Sequence, residues 1–268
     1  MTVPPDDGLP QRLRAQAIVS EGEQRIGRRW FRSLTTWLDR VRPAVTRGGG
    51  VDPARVSDFT GPWTDAVNTE ILPEIGNVLG DAWRRVTAAG TPRTDPWVAD
   101  YLNERGNRLV RLPDEVYALI VAEVERGITE GLELPKVTEA VQAVLTSTAS
   151  EFWPNRARTV ARTETMGAVN AGVFRAAELD AEQRGDPAPF KQWIATEDTR
   201  TRPTHAEADK QRTLLREPFR VGSSELLFPG DPRGAAAEVI NCRCTLLPIV
   251  LGETIDWTDR QRPQDGGA

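Results

Sequence analysis

The chain has 268 residues, with 34 basic and 39 acidic side chains and a single histidine, for a net charge of -5 at neutral pH. That length allows one large domain or two ordinary ones with a core of their own, and no apolar run approaches the roughly 18 residues of a membrane span. The acidic balance argues against bulk nucleic-acid affinity, and the lone His205 excludes multi-histidine metal sites and any catalytic scheme that needs a second histidine.

In chain order, the opening "MTVPPDDGLPQRLR" has acidic residues before basic ones and no apolar core, so it does not read as a signal peptide. Synthesis in the cytoplasm is the expectation. Ile26, Trp30, Leu34, Trp37, Leu38 and Val41 recur at 3–4 spacing and predict an amphipathic helix that stops before the breaker run "RPAVTRGGGVDP". A second helix is predicted from about Trp63 to Ala89, with Val67, Ile71, Ile75, Val78, Leu79, Trp83 and Val86 on one side. Pro73 must kink it or sit near a first turn, and Gly90-Thr91-Pro92 ends it. Shorter helices are predicted at Trp97–Leu109, Pro113–Leu132 and Pro135–Ala149; Pro113, Asp114 and Glu115 supply the N1 proline and first-turn acids of the middle one. Tryptophans at helical spacing in this region read as core rather than as an interaction surface.

From Pro154 a long helix follows, its apolar side formed by Val160, Met166, Val169, Val173 and Leu179. Gly167, Ala168, Ala171 and Gly172 predict close packing by another element. After "GDPAP" the texture changes. "FKQWIATEDTRTRP" reads as a strand entering a turn, and "FRVGSSELLFPGDP" as a hairpin turning at Gly222-Ser223-Ser224. "EVINCRCTLLPIV" is β-branched and apolar enough to be a strand. The predicted fold class is α+β: a mostly helical region (1–150), then a compact α+β domain with a long helix and a small antiparallel sheet (151–250), then a flexible polar tail (251–268).

Three features carry candidate chemistry. Arg158 and Arg162 lie at i, i+4 on the long helix, and Glu164 falls on the other side of Arg162, so it needs a partner elsewhere. The loop "TEDTRTRPTHAEADKQR" crowds Glu197, Asp198, Arg200, Arg202, His205 and Asp209 together. Asp198 can fix an Asx-turn, and Arg200 and Arg202 can pair with carboxylates such as Glu164. The expected network is structural and comprises Arg158, Arg162, Glu164, Asp198, Arg200, Arg202 and Asp209. His205 beside Asp209 is the acid/base alternative, but the loop shows no nucleophile motif and no phosphate loop.

Cys242 and Cys244 are the third feature. On a strand they share a face, with Cα atoms about 7 Å apart, which strains an intrachain disulfide. Two buried thiols acting as small apolar residues is one reading. A zinc half-site completed by His205 and by Asp198, Asp209 or Asp231 is the other; Asp231 is the carboxylate carried forward as the metal candidate.

The order "ARTE…AVNAG", "EDTRTRPTH…D", then "LLFPGDP.GAAAEVINCRCT" resembles the phage Mu F-like (SPP1 gp7-like) head morphogenesis domain of minor capsid proteins, over about Glu151–Leu247. The family pattern falls on Arg158, Arg162, Thr163 and Glu164; on Asp198, Arg200, Arg202, His205 and Asp209; and on Pro229, Asp231, Pro232, Asn241, Cys242, Arg243 and Cys244. One departure is Lys210, where the family usually has glycine. The resemblance implies a non-enzymatic minor head protein of a tailed bacteriophage or prophage, located in the virion. Its expected partner is the portal protein, with scaffold, major capsid protein and packaged DNA as further candidates, and no membrane in the assembled head. No cofactor is expected, apart from zinc at the cysteine pair. The competing expectation is a zinc- or His-dependent hydrolase or transferase centred on His205, Cys242 and Cys244, and a weaker third is a DNA-binding module using Arg158, Arg162, Arg200 and Arg202.

Overall fold

The computed structural model describes residues 9–249 except 88–91, 149–150, 187 and 197. The expectations for the N-terminal leader, Glu197 and the tail 251–268 lie outside those residues. The first stripe forms α1 (Leu9–Val45), and all six of its apolar residues are buried. The helix runs on past the expected stop, through Pro43 to Val45. The missing proline N–H falls in the last turn, where it costs one bond, and the extra turn buries Val45 beneath Val41.

The second stripe is a helix with a widened turn. Thr60–Ala66 (α2) leads into a π-helical segment, Val67–Ile71, and then α3 (Leu72–Val86), with Pro73 in its first turn. Proline can neither bond to nor sit against the carbonyl four residues back, so the chain widens just ahead of it. Helices α4 (Pro96–Leu109), α5 (Leu112–Thr129) and α6 (Leu134–Val144) follow, the last two ending a few residues before their predicted limits. Asp95 caps α4 by accepting from the Trp97 and Val98 amides at 2.9 and 3.3 Å. The tryptophans of this region are core: Trp30, Trp37, Trp63 and Trp83 are buried, and Trp63 takes both Trp30 and Trp37 edge-on.

The long helix is α7 (Phe152–Arg184). It packs along α1 and α3 on the helical side and against the last strand on the other. Residues all round its middle are buried, polar Thr163, Glu164, Thr165 and Asn170 included, while Val169, Val173 and Leu179 of the predicted apolar side are only partly so. The small residues explain the fit. A Cβ on Gly172 would sit 2.4 Å from the Leu79 carbonyl oxygen, and one on Gly167 would collide with the Arg105 guanidinium.

Strand β1 (Phe190–Ile194) is central in a three-stranded antiparallel sheet, between β2 (Arg212–Leu214) and β5 (Thr245–Ile249). Strands β3 (Phe219–Val221) and β4 (Ser224–Leu226) form a separate hairpin. Its turn is two residues, Gly222-Ser223, one shorter than expected, with Gly222 at φ 57°. The fold is α+β, as predicted. Two short helices within it, α8 (Pro203–Glu207) and α9 (Ala236–Val239), were not foreseen.

Cys242 and Cys244 correct one expectation. They lie ahead of β5, not on a strand. Asn241 adopts φ 57° and turns the chain between α9 and β5; asparagine tolerates that left-handed conformation better than most residues.

Lys210, the departure from the family glycine, keeps the glycine-like backbone at φ 65° and donates its amide to the Trp193 carbonyl at 2.9 Å. A lysine there costs about 1–2 kcal/mol, partly offset by the extra freedom that glycine brings to the unfolded chain. Lys210→Gly is therefore expected to raise stability by about 0.5–1 kcal/mol, read as a higher denaturant midpoint at unchanged slope. A lower midpoint would contradict the strain assigned to this turn.

Candidate functional site

Asn170, in the middle of α7, ties the three sequence blocks together. It is buried, its Nδ2 donates to the Pro229 and Cys244 carbonyls at 2.9 and 3.0 Å, and its Oδ1 accepts from the Leu246 amide at 2.9 Å. The one side chain holds both the "FPGDP" turn and the start of β5. About two helical turns earlier, Thr163 accepts from the Asn241 amide at 3.0 Å. Thr196, after β1, donates to the Arg243 carbonyl at 2.8 Å.

The Asn-Cys-Arg-Cys segment is thereby pressed against α8. His205 on α8 places Nδ1 3.3 Å from Cys244 Sγ and 3.7 Å from Cys242 Sγ. Its Nε2 lies 3.0 Å from Glu238 Oε2, which also accepts from the Thr204 hydroxyl at 2.8 Å. The imidazole stands edge-on to Trp193. Trp193, His205, Glu238 and both cysteines are buried, and the space beside them, lined by Thr196, Thr201, Arg202, His205 and both cysteines, is about 20 Å³. That is room for one water. A hydrogen bond from Cys242 and the neighbouring His205 push the Cys244 thiol down to about 5. Cys242 moves up, because its own proton is the one engaged with Cys244 and it is buried.

The predicted charge network divides into separate pairs. Glu164 meets neither Arg200 nor Arg202. Its partner is the fully buried Arg105 of α4, at 3.5 Å. Burial raises the Glu164 pKa, and Arg105 opposes that rise. Arg105 also donates from Nε to the Tyr101 hydroxyl at 3.1 Å and from its NH2 group to the Gly230 carbonyl. The loop arginines are held locally instead, because α8 turns the loop toward α9. Arg202 donates to the Ile240 carbonyl at 2.5 Å, and Arg200 is exposed, 3.6 Å from Asp198.

Asp198 forms the expected Asx-turn, accepting from the Arg200 amide at 2.9 Å, and takes a two-pronged ion pair from Arg243 that lowers its pKa. Asp209 accepts from the Ala195 amide at 2.9 Å. Arg158 pairs with Glu151 at 3.2 Å on the surface, and Arg162 with Glu23 of α1 at 3.4 Å. Asp231 stands apart from the sulfurs. It is buried in the "FPGDP" turn, where it accepts from the Leu227 and Arg233 amides and pairs with the Arg233 side chain at 2.6 Å. Among the described residues the convergent ligand set is His205, Cys242 and Cys244 alone.

Sequence reading missed Arg105, Asn170, Glu238 and Lys191. Asn170 left the clearest trace, a lone amide inside a run of small residues that had to be close-packed. Lys191 is buried in β1, donates Nζ to the Leu227 carbonyl at 2.7 Å, and lies about 5 Å from the Phe174 and Phe219 ring centres.

Residues 118–247, from within α5 to within β5, match the family described as Phage Mu protein F like protein. The resemblance read from the three sequence blocks is thus matched by that family over a little under half of the chain. The chain is 27% identical over 176 residues to the uncharacterized protein YqbB of Bacillus subtilis (strain 168), an alignment covering 64% of this chain and 53% of that one. It is 28% identical over 145 residues to the NAD(+)--arginine ADP-ribosyltransferase EFV of Enterococcus faecalis (strain ATCC 700802 / V583), covering 54% of this chain and 28% of that protein. The chain thus spans about half of one relative and under a third of the other. No solved structure matches it significantly. No helix among the described residues is long and apolar enough to cross a membrane.

Burial pulls Lys191 down from 10.5 to about 7. Between those values the unfolded chain holds more protons than the folded one, so stability rises with pH across that window and is lost as pH falls through about 7. Denaturant titrations at pH 7 and 10 should show a gain on the order of 3 kcal/mol that Lys191→Met largely removes. Equal gains in both proteins would show that this lysine is not the group responsible.

Proposed function

We propose that this protein is a minor head protein of a tailed bacteriophage or prophage, associated with the portal and acting in head morphogenesis. The observation that carries the reading is the family match over residues 118–247. The described structure supports it in kind. The three blocks of that match converge on α7 as a rigid unit, held by ion pairs and backbone hydrogen bonds. Such a unit suits a part of a large assembly. The apolar stripes of α1 and α3 are consumed by the chain's own core. A portal contact would therefore use the outer, polar faces of the helical region. Scaffold, major capsid protein and packaged DNA are further partners within this proposal, with a role in DNA packaging or ejection. All four arginines proposed for DNA are engaged within the chain, Arg158, Arg162, Arg200 and Arg202. A DNA contact through them would have to compete with those partners.

An enzymatic reading has one specific observation in its favour. Cys244, His205 and Glu238 form a line with the spacing of nucleophile, base and orienting carboxylate. Against it, both reactive side chains are 2% exposed and the adjoining space takes one water, which leaves no room for a substrate. The transferase activity named for the Enterococcus protein belongs to that protein, of which this chain matches 28%. We therefore place the cluster in the architecture rather than in catalysis.

The test is assembly. Tagged protein co-produced with the head genes of its source phage should sediment with portal-bearing particles and be absent from particles made without portal. Recovery only in the unassembled soluble fraction, with the portal present and particles formed, would overturn the reading.

A further inference from the structure

Three atoms with available lone pairs converge in the buried space between α8 and the segment ahead of β5: His205 Nδ1, Cys242 Sγ and Cys244 Sγ. All lie within 4.8 Å of one another. Tetrahedral zinc with Zn–S near 2.3 Å and Zn–N near 2.05 Å sets neighbouring sulfur and nitrogen ligands about 3.6 Å apart. The observed separations are 3.3 and 3.7 Å. The three donors thus already bracket the spacing that one ion requires.

The surroundings fit the same occupant. Glu238 Oε2 lies 3.0 Å from His205 Nε2, so the tautomer protonated at Nε2 donates to it. That tautomer leaves the Nδ1 lone pair facing the sulfurs. A carboxylate that orients a histidine through its far nitrogen is the usual outer partner of a zinc ligand. The adjoining space of about 20 Å³ admits one water as fourth ligand. Two thiolates and one neutral imidazole balance a divalent cation, and the softness of the set favours zinc over magnesium or calcium.

We propose that His205, Cys242 and Cys244 bind one zinc ion as a structural staple. The ion joins α8 to a stretch of chain that lies outside both helix and strand. Binding releases the thiol protons to solvent and changes no oxidation state. The proposal stands independently of the head-protein reading, since it concerns only how this unit is held together.

The experiment is metal analysis of the full chain, purified under reducing conditions after growth in zinc-supplemented medium, together with cobalt titration of the metal-free wild type. The expected result is about one zinc per chain. Cobalt should produce a sulfur-to-metal charge-transfer band, and zinc removal should lower the melting temperature by several degrees, reversed on adding zinc back. Cys244→Ser and His205→Ala should cut zinc content at least tenfold. The cobalt band needs no variant, so a variant that fails to fold leaves the test decisive. Less than a tenth of an equivalent of zinc with no cobalt band would overturn the proposal. So would a different metal at full occupancy, or a Cys242–Cys244 disulfide in protein isolated without reductant.

Discussion

The amide of Asn170 has three hydrogen bonds in a place where none can be replaced by water. It sits buried in the middle of α7, and its partners are backbone groups of two segments distant in sequence: the Pro229 carbonyl on one, and Cys244 and Leu246 on the other. A backbone group buried without a partner costs about 1–3 kcal/mol. A side chain that satisfies three at once therefore fixes where both segments run. The rest of the α+β unit follows from that. With the "FPGDP" turn and the start of β5 held, β5 can pair with β1, and His205 on α8 meets both sulfurs.

The same helix sets the terms on its other faces. Small residues let α3 and the Arg105 side chain approach its backbone, and close approach brings a charge inside. Arg105 is buried because Glu164, Tyr101 and the Gly230 carbonyl receive it. An ion pair in that position gains little net stability over a well-packed apolar pair, but loss of one partner leaves a buried charge alone. It acts as a constraint on register: α4 can dock against α7 and the Gly230 turn in one way.

Much of this was legible in the residues. The stripes of α1 and α3 gave their faces because a 3.6-residue period survives folding whenever one side meets the core. Gly167 and Gly172 announced close packing, and the three blocks announced the family. What sequence could not give was pairing over distance. Glu164 plainly needed a partner, yet nothing in "YLNERGNRLV" marks Arg105 as the one that is buried rather than solvated. The cysteines were placed on a strand because their neighbours are β-branched. The left-handed turn at Asn241 decided otherwise, and such a turn is a backbone choice that periodicity does not record. Even so, the two thiols face one partner, for a reason different from strand alternation. Lys210 shows the converse: a departure in residue type that left the backbone turn as glycine would make it.

The central claim is that α7, through Asn170, holds the Cys-containing segment in place. It is tested most directly by the rate at which a small thiol reagent labels Cys242 and Cys244 in metal-free wild type and in Asn170→Ala, alongside their denaturant midpoints. The account predicts slow labelling in the wild type and labelling at least tenfold faster in the variant, with a midpoint lowered by the equivalent of about 2–4 kcal/mol. Unchanged labelling in a variant of unchanged midpoint would contradict it.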